Sequence, residues 1–215
     1  MIPDWPEERR KMIRDQLFGR AIRDARVLDA MGAIPREEFV PADHRLLTYG
    51  DDPVPIGYGQ TISQPYMTAL MMQELELKGF ETVLEVGAGC GYAAAVLGAL
   101  ARNVISIEIV PALVAMARDN LRRTGRDGNV QIVEGDGSLG YAALAPYDAI
   151  SVAAGAPHVP TPLLNQLADP GVLVIPVGEL DDQQLRIIRK QEGRIEHRMS
   201  TYCRFVPLRG GEGWN

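Results

Sequence analysis

Cysteine is scarce in this chain: of 215 residues only Cys90 and Cys203 carry thiols. They lie far apart, in no zinc or Cys-x-x-Cys spacing, so a disulfide scaffold, a thiolate metal site and a dithiol redox pair are all excluded. Both read as small buried apolar residues, and a reduced, cytoplasmic setting is expected. Positive charge is also short. Lys and Arg number 22 against 28 Asp and Glu, a net charge of −6, which offers nucleic-acid backbones and anionic lipid no attraction. No stretch approaches the run of about 20 apolar residues that spans a bilayer. Met1 to Glu8 lack the apolar segment of a signal peptide. His44, His158 and His197 match no catalytic-triad spacing and are assigned surface or packing roles. Low-complexity tracts, repeats, linkers and coiled-coil heptads are missing. The expectation is a monomeric single domain over 1–215, large enough to bury about 70% of its unfolded surface.

What is present is a change of rhythm. Residues 1–60 read as a helical layer. Met12, Ile13, Leu17 and Phe18 recur at helical spacing before Gly19, and Asp24 to Met31 forms a capped helix that Gly32 stops. From residue 61 short apolar runs alternate with helices, the mark of parallel strands covered on both faces. Strands are expected at Thr82–Val86, Val104–Glu108, Val130–Glu134, Asp148–Val152 and Gly171–Val177, with helices near Tyr92–Ala101, Pro111–Thr124 and Pro162–Leu167. An acidic turn then precedes strands at Gln184–Lys190 and Ile195–Phe205. The fold class is α/β, a mostly parallel, doubly wound Rossmann-like sheet with an antiparallel C-terminal hairpin.

Gly87-Ala88-Gly89-Cys90-Gly91 follows the first of these strands, where an open parallel sheet binds ligands. Tyr92 breaks the G-x-G-x-x-G pattern of dinucleotide enzymes. Glu85-x-Gly-x-Gly-x-Gly instead resembles the loop of S-adenosyl-L-methionine-dependent methyltransferases. Glu108 ends the next strand about twenty residues on, placed to accept from ribose hydroxyls. Asp136-Gly137 ends the strand after that and suits the adenine amine, or else a plain turn.

The acceptor is narrowed by absences. The segment after the fourth strand, Ser151 to Pro157, lacks the Asn-Pro-Pro-Tyr motif of amino-group methylation. No carboxylate cluster offers the metal that catechol methylation needs. A carboxylate acceptor requires neither metal nor base, because it is already ionised at pH 7. A neutral hydroxyl holds it without quenching its charge, and Ser63, in the loop Gly59 to Tyr66 that reads as strained, supplies one. A competing role for Ser63 is the cap of the helix that follows, with Pro65 in the first turn. Val152 and Ala153 belong to a small-residue run that lets a peptide backbone approach, or serves as an ordinary strand exit.

These segments together resemble the protein-L-isoaspartate(D-aspartate) O-methyltransferase family over nearly the whole chain. The similar stretches include Arg26 to Met31, Pro35-Arg36-Glu37-Glu38-Phe39-Val40-Pro41, Gly59 to Tyr66, the glycine loop, Gly135-Asp136-Gly137, Ala145 to Asp148, Pro176-Val177-Gly178 and Arg204 to Leu208. The Thr-Ile-Ser segment is the most specific. The resemblance implies a catalytic Ser63 and a cofactor held by Gly87, Ala88, Gly89, Cys90, Gly91, Glu108, Asp136 and Gly137. Thr61, Ile62, Val152 and Ala153 are read as substrate contacts. The family often has Thr where this chain has Ala153. It implies methylation of the free α-carboxylate of L-isoaspartyl or D-aspartyl residues, with S-adenosyl-L-homocysteine as product and repair through a succinimide. Two other readings stay open: a carboxyl methyltransferase for one dedicated peptide, and a non-catalytic cofactor-binding module.

Overall fold

The computed structural model describes residues 3–214, and expectations touching Met1, Ile2 or Asn215 lie outside the described residues. Helix α1 (Trp5–Lys11) starts at Asp4, whose Oδ1 accepts the Glu7 N–H at 3.2 Å. It continues through a wide turn at Met12–Leu17 and a tight one at Phe18–Arg20. The run passes the expected stop at Gly19 and ends where Ala21 turns left-handed, at φ 72°. Helix α2 (Ala25–Ala33) is capped by Asp24 as expected, but it runs past Gly32. What ends it is Pro35, which forces the preceding Ile34 into extended backbone.

The expected helical layer also contains a hairpin, β1 (Val54–Gly57) and β2 (Gln60–Ile62), with Val54, Ile56 and Ile62 buried. Its turn is left-handed at Gly57, Tyr58 and Gly59. The unusual backbone of the Gly59–Tyr66 region therefore lies in this turn, and Ser63 itself carries no positive φ. Helix α3 (Pro65–Glu74) follows directly.

The rest of the chain supplies β3 (Thr82–Val86), α4 (Tyr92–Leu100), β4 (Asn103–Glu108), α5 (Pro111–Arg123), β5 (Val130–Glu134), β6 (Tyr147–Val152), α6 (Thr161–Gln166), β7 (Leu167–Gly178), β8 (Gln183–Gln191) and β9 (Arg194–Cys203). The sheet order is β5-β4-β3-β6-β7-β8-β9. Pairings are parallel from β5 to β7, and β8 and β9 add an antiparallel edge. β7 begins at Leu167 rather than Gly171, because Leu167 already pairs with Tyr147 before an irregularity in the ladder.

Strand alternation sorts the core into two layers. Leu84, Val86, Ile105, Ile107, Ile150 and Val152 pack on the α6 face. Val83, Val104 and Ala149 pack on the other face, with α3, α4, α5 and the N-terminal layer. On that second face Glu85 lies between Ser106 and Ser151 in register, and all three are buried. The N-terminal layer is bolted on by Arg26, which donates to the carbonyls of Leu77 (2.6 Å) and Leu100 (2.8 Å).

Candidate active site

β3 sits where the sheet order turns back, with β4 on one side and β6 on the other, so a crevice opens beyond its carboxyl end. Gly87 N–H donates to Ile107 O at 2.8 Å and Ala153 N–H to Val86 O at 2.8 Å, which ties the exits of all three strands together. Gly87 is left-handed (φ 93°), a backbone conformation that strains any side chain, although a Cβ there would meet Ala153 only in ordinary contact at 3.6 Å. Gly91 opens α4 at φ 87° with Ala117 of α5 only 3.2 Å from where a Cβ would lie. A non-glycine residue is disfavoured at both positions.

The cleft over this loop is lined by Gly87 to Cys90, Glu108, Gly137, Ala153, the hairpin residues Gln60, Thr61 and Ile62, and Ser63 just after them. Glu108 is 6% exposed; its Oε2 accepts the Gly89 N–H at 2.8 Å and its Oε1 the Val110 N–H at 3.0 Å. A carboxylate has about four acceptor sites, so capacity remains for a ribose diol after both bonds are made. The donor set therefore fits a nucleoside cofactor. Gly91 does not line the cleft; it sets the angle of α4.

Asp136 is also absent from the cleft wall. Its Oδ1 accepts from the Ser138 N–H (2.9 Å) and hydroxyl (2.6 Å), and its Oδ2 from the Gly211 N–H (2.7 Å). The turn role anticipated as its alternative is present, extended to a clasp on the C-terminal tail. Gly137 alone of this pair borders the cleft.

Ser63 does not cap α3. The cap position is Gln64, without a side-chain bond, and Pro65 follows. The Ser63 hydroxyl makes no hydrogen bond within the described residues, while its carbonyl accepts from Arg36 Nη2 at 2.7 Å. Gln64 is pinned in turn, its Nε2 donating to Asp51 O at 2.8 Å. Ser63 borders a second hollow too, lined by Arg20, Tyr66, Thr201, Tyr202 and Phe205. The two hollows share Thr61, Ser63, Ala153 and Val206. Val152, expected to contact substrate, is wholly buried: the alternation of β6 turns it into the core, and Ala153 is the residue that reaches the hollows.

Sequence reading missed Thr68, Tyr92, Ile109 and the segment Val206–Arg209, all of which line the first cleft. Thr68 lies one turn after Gln64 on α3, a spacing that would have exposed it. The Val206–Arg209 segment arrives through bonds made far along the chain: Gly155 N–H donates to Val206 O and Leu208 N–H to Gly155 O, each at 2.8 Å. Burial pushes the Cys90 thiol up to about 11, so it stays protonated and acts as wall.

The model of the family described as protein-L-isoaspartate(D-aspartate) O-methyltransferase (PCMT) matches residues 7–213. Protein-L-isoaspartate O-methyltransferase 2 of Marinobacter nauticus is 54% identical over 213 residues, spanning 98% of this chain and 97% of that protein. A protein-L-isoaspartate O-methyltransferase of Methanoregula boonei is 47% identical, spanning 97% and 95%. A solved Plasmodium falciparum relative described by the same activity, in complex with S-adenosyl-L-homocysteine, has a TM-score of 0.81 at 30% identity and covers 94% of this chain and 98% of its own. With a family match of that extent, and relatives near half identity along almost their whole length, this chain belongs to the protein-L-isoaspartate(D-aspartate) O-methyltransferase family.

Proposed function

We propose that this chain moves the methyl group of S-adenosyl-L-methionine to the free α-carboxylate of L-isoaspartyl and D-aspartyl residues in damaged peptides and proteins. The observation that carries the reading is the meeting of two hollows at Ser63. One hollow, over the glycine loop and Glu108, suits a nucleoside donor; the other, toward the end of β9, is open to a peptide.

When bound, the cofactor supplies a methyl carbon made electrophilic by its sulfonium. Glu108 holds the ribose, Gly87 to Cys90 form the wall, and Gly137 borders the far end. Ser63 donates its free hydroxyl to one acceptor oxygen, which fixes the approach of the other. The acceptor oxygen's electron pair forms the new O–CH3 bond as the C–S bond breaks toward sulfur. No proton moves, so the chain needs no base. Alignment and exclusion of water are its contribution, and such positioning supplies several kcal/mol of a barrier. The ester then closes to a succinimide, whose hydrolysis restores part of the normal aspartyl links.

We read the chain as one catalytic unit that acts as a monomer in the cytoplasm without nucleic-acid partners. The −6 net charge supports the reading without nucleic acid, and the two free cysteines support the reducing compartment. The test is transfer of methyl label from the cofactor to an isoaspartyl peptide and to its normal aspartyl twin. Label confined to the first, and lost at mild alkaline pH as esters are, supports the proposal; equal labelling of both redirects it to general carboxyl methylation.

A further inference from the structure

Arg36 is wholly buried, an unusual place for a guanidinium. Its Nε donates to Thr48 O at 2.9 Å and its Nη2 to Ser63 O at 2.7 Å, while Nη1 has no partner. Its Cζ stands 4.9 Å from the centre of the Tyr92 ring, which Phe39 meets edge-on at 5.6 Å. Other arginines are paired with carboxylates: Arg9 with Glu37, Arg20 with Asp51 and Arg123 with Glu38. No carboxylate pairs with Arg36 among the described residues. Burial lowers its pKa, yet an arginine keeps its proton at neutral pH.

A buried charge without its opposite is costly, and folds normally pair it. Here the side chain is bonded to the residue at which the two hollows meet and lies against Tyr92, part of the first cleft's wall. We propose that Arg36 is an electrostatic positioning residue for the acceptor: from behind Ser63 its unpaired charge draws an anionic carboxylate to a wall whose contacting group is a neutral hydroxyl. This rests on the function proposed above and adds a division of labour to it. A guanidinium in direct contact would pair with the carboxylate and blunt its attack. Held one residue back, the same charge attracts without pairing.

The alternative is a purely mechanical role, in which Arg36 only braces the carbonyls of Thr48 and Ser63. Charge and bracing separate by comparing an isoaspartyl peptide with a twin whose α-carboxylate is a carboxamide. The first is followed by its KM as a methyl acceptor, the second by its Ki as a competitor. The native chain binds the anion more tightly than the amide. Arg36→Gln, which keeps amide donors and loses the charge, weakens the anion about five- to tenfold and the amide less than twofold. Arg36→Lys, with the charge and without the fork, restores most of the anion's affinity. Equal losses for both ligands, or a Lys variant as weak as Gln, overturn the proposal. Native protein that binds the amide as well as the anion overturns it too, with no variant needed. Absence of methyl transfer by the native chain would instead reject the proposed function.

Discussion

Glu108 Oε2 accepts the backbone N–H of Gly89 at 2.8 Å, so the residue suited to hold a ribose also holds the loop that surrounds it. Glu108→Gln presents an amide hydrogen to one of two backbone donors and loses a charge-assisted bond, a cost of about 1–3 kcal/mol. Calorimetry with S-adenosyl-L-homocysteine should give a dissociation constant about five- to 150-fold weaker. Unchanged affinity would remove Glu108 from the cofactor site.

Ser63→Ala removes a hydroxyl that neither caps α3 nor bonds elsewhere in the described chain. Stability should stay within about 0.5 kcal/mol and cofactor affinity within about twofold, while turnover falls about tenfold or more. A lowered melting temperature with unaltered kcat would return Ser63 to a structural role.

Gly91→Ala would place a side chain at φ 87° and against the Ala117 backbone at 3.2 Å. Both faults act on the α4–α5 contact, and the denaturation midpoint should drop by an amount equivalent to about 1–3 kcal/mol. Saturating S-adenosyl-L-homocysteine should recover part of the loss through linkage. A variant as stable as the native chain would show that the loop tolerates a rearranged helix start.

Glu85 offers a pH test. Burial pushes its carboxyl up to about 8, with the nearby Glu108 adding to the rise and the Ser106 hydroxyl opposing it. The folded chain therefore holds a proton there that the unfolded chain releases near the ordinary value of 4.5. Its contribution to stability is complete below that value, declines at up to about 1.4 kcal/mol per pH unit, and levels off once the folded carboxyl ionises. Glu85→Gln, a neutral isostere, should flatten this slope, so its gain over the native chain should be larger at pH 8 than at pH 5. Parallel melting curves across that range would show that Glu85 does not titrate in this window.

The parallel strands and the glycine loop were legible in sequence because each is a local constraint: apolar runs of strand length, and glycines at the alternate positions 87, 89 and 91 that take left-handed φ. The β1–β2 hairpin was not, since its two strands hold only four and three residues and Pro55 interrupts the pattern. α2 kept going because a glycine only permits a stop, whereas Pro35 enforces one. The candidate site divided the same way. Ser63 and Glu108 stand beside local motifs, but the partner of Asp136 lies at Gly211 and that of Ser63 at Arg36, contacts that only the folded chain creates. Arg36 sits among charged neighbours in Pro35-Arg36-Glu37-Glu38, and no local pattern marks it as buried; its burial is a tertiary fact.

Repair itself gives the most direct measurement. An isoaspartyl peptide incubated with native protein and S-adenosyl-L-methionine, and followed by chromatography over repeated cycles, should disappear through a transient succinimide while its normal aspartyl isomer accumulates. A peptide that survives unchanged in the presence of bound cofactor, or an aspartyl isomer that is consumed as fast as it forms, would contradict a carboxylate methylation directed at isoaspartate.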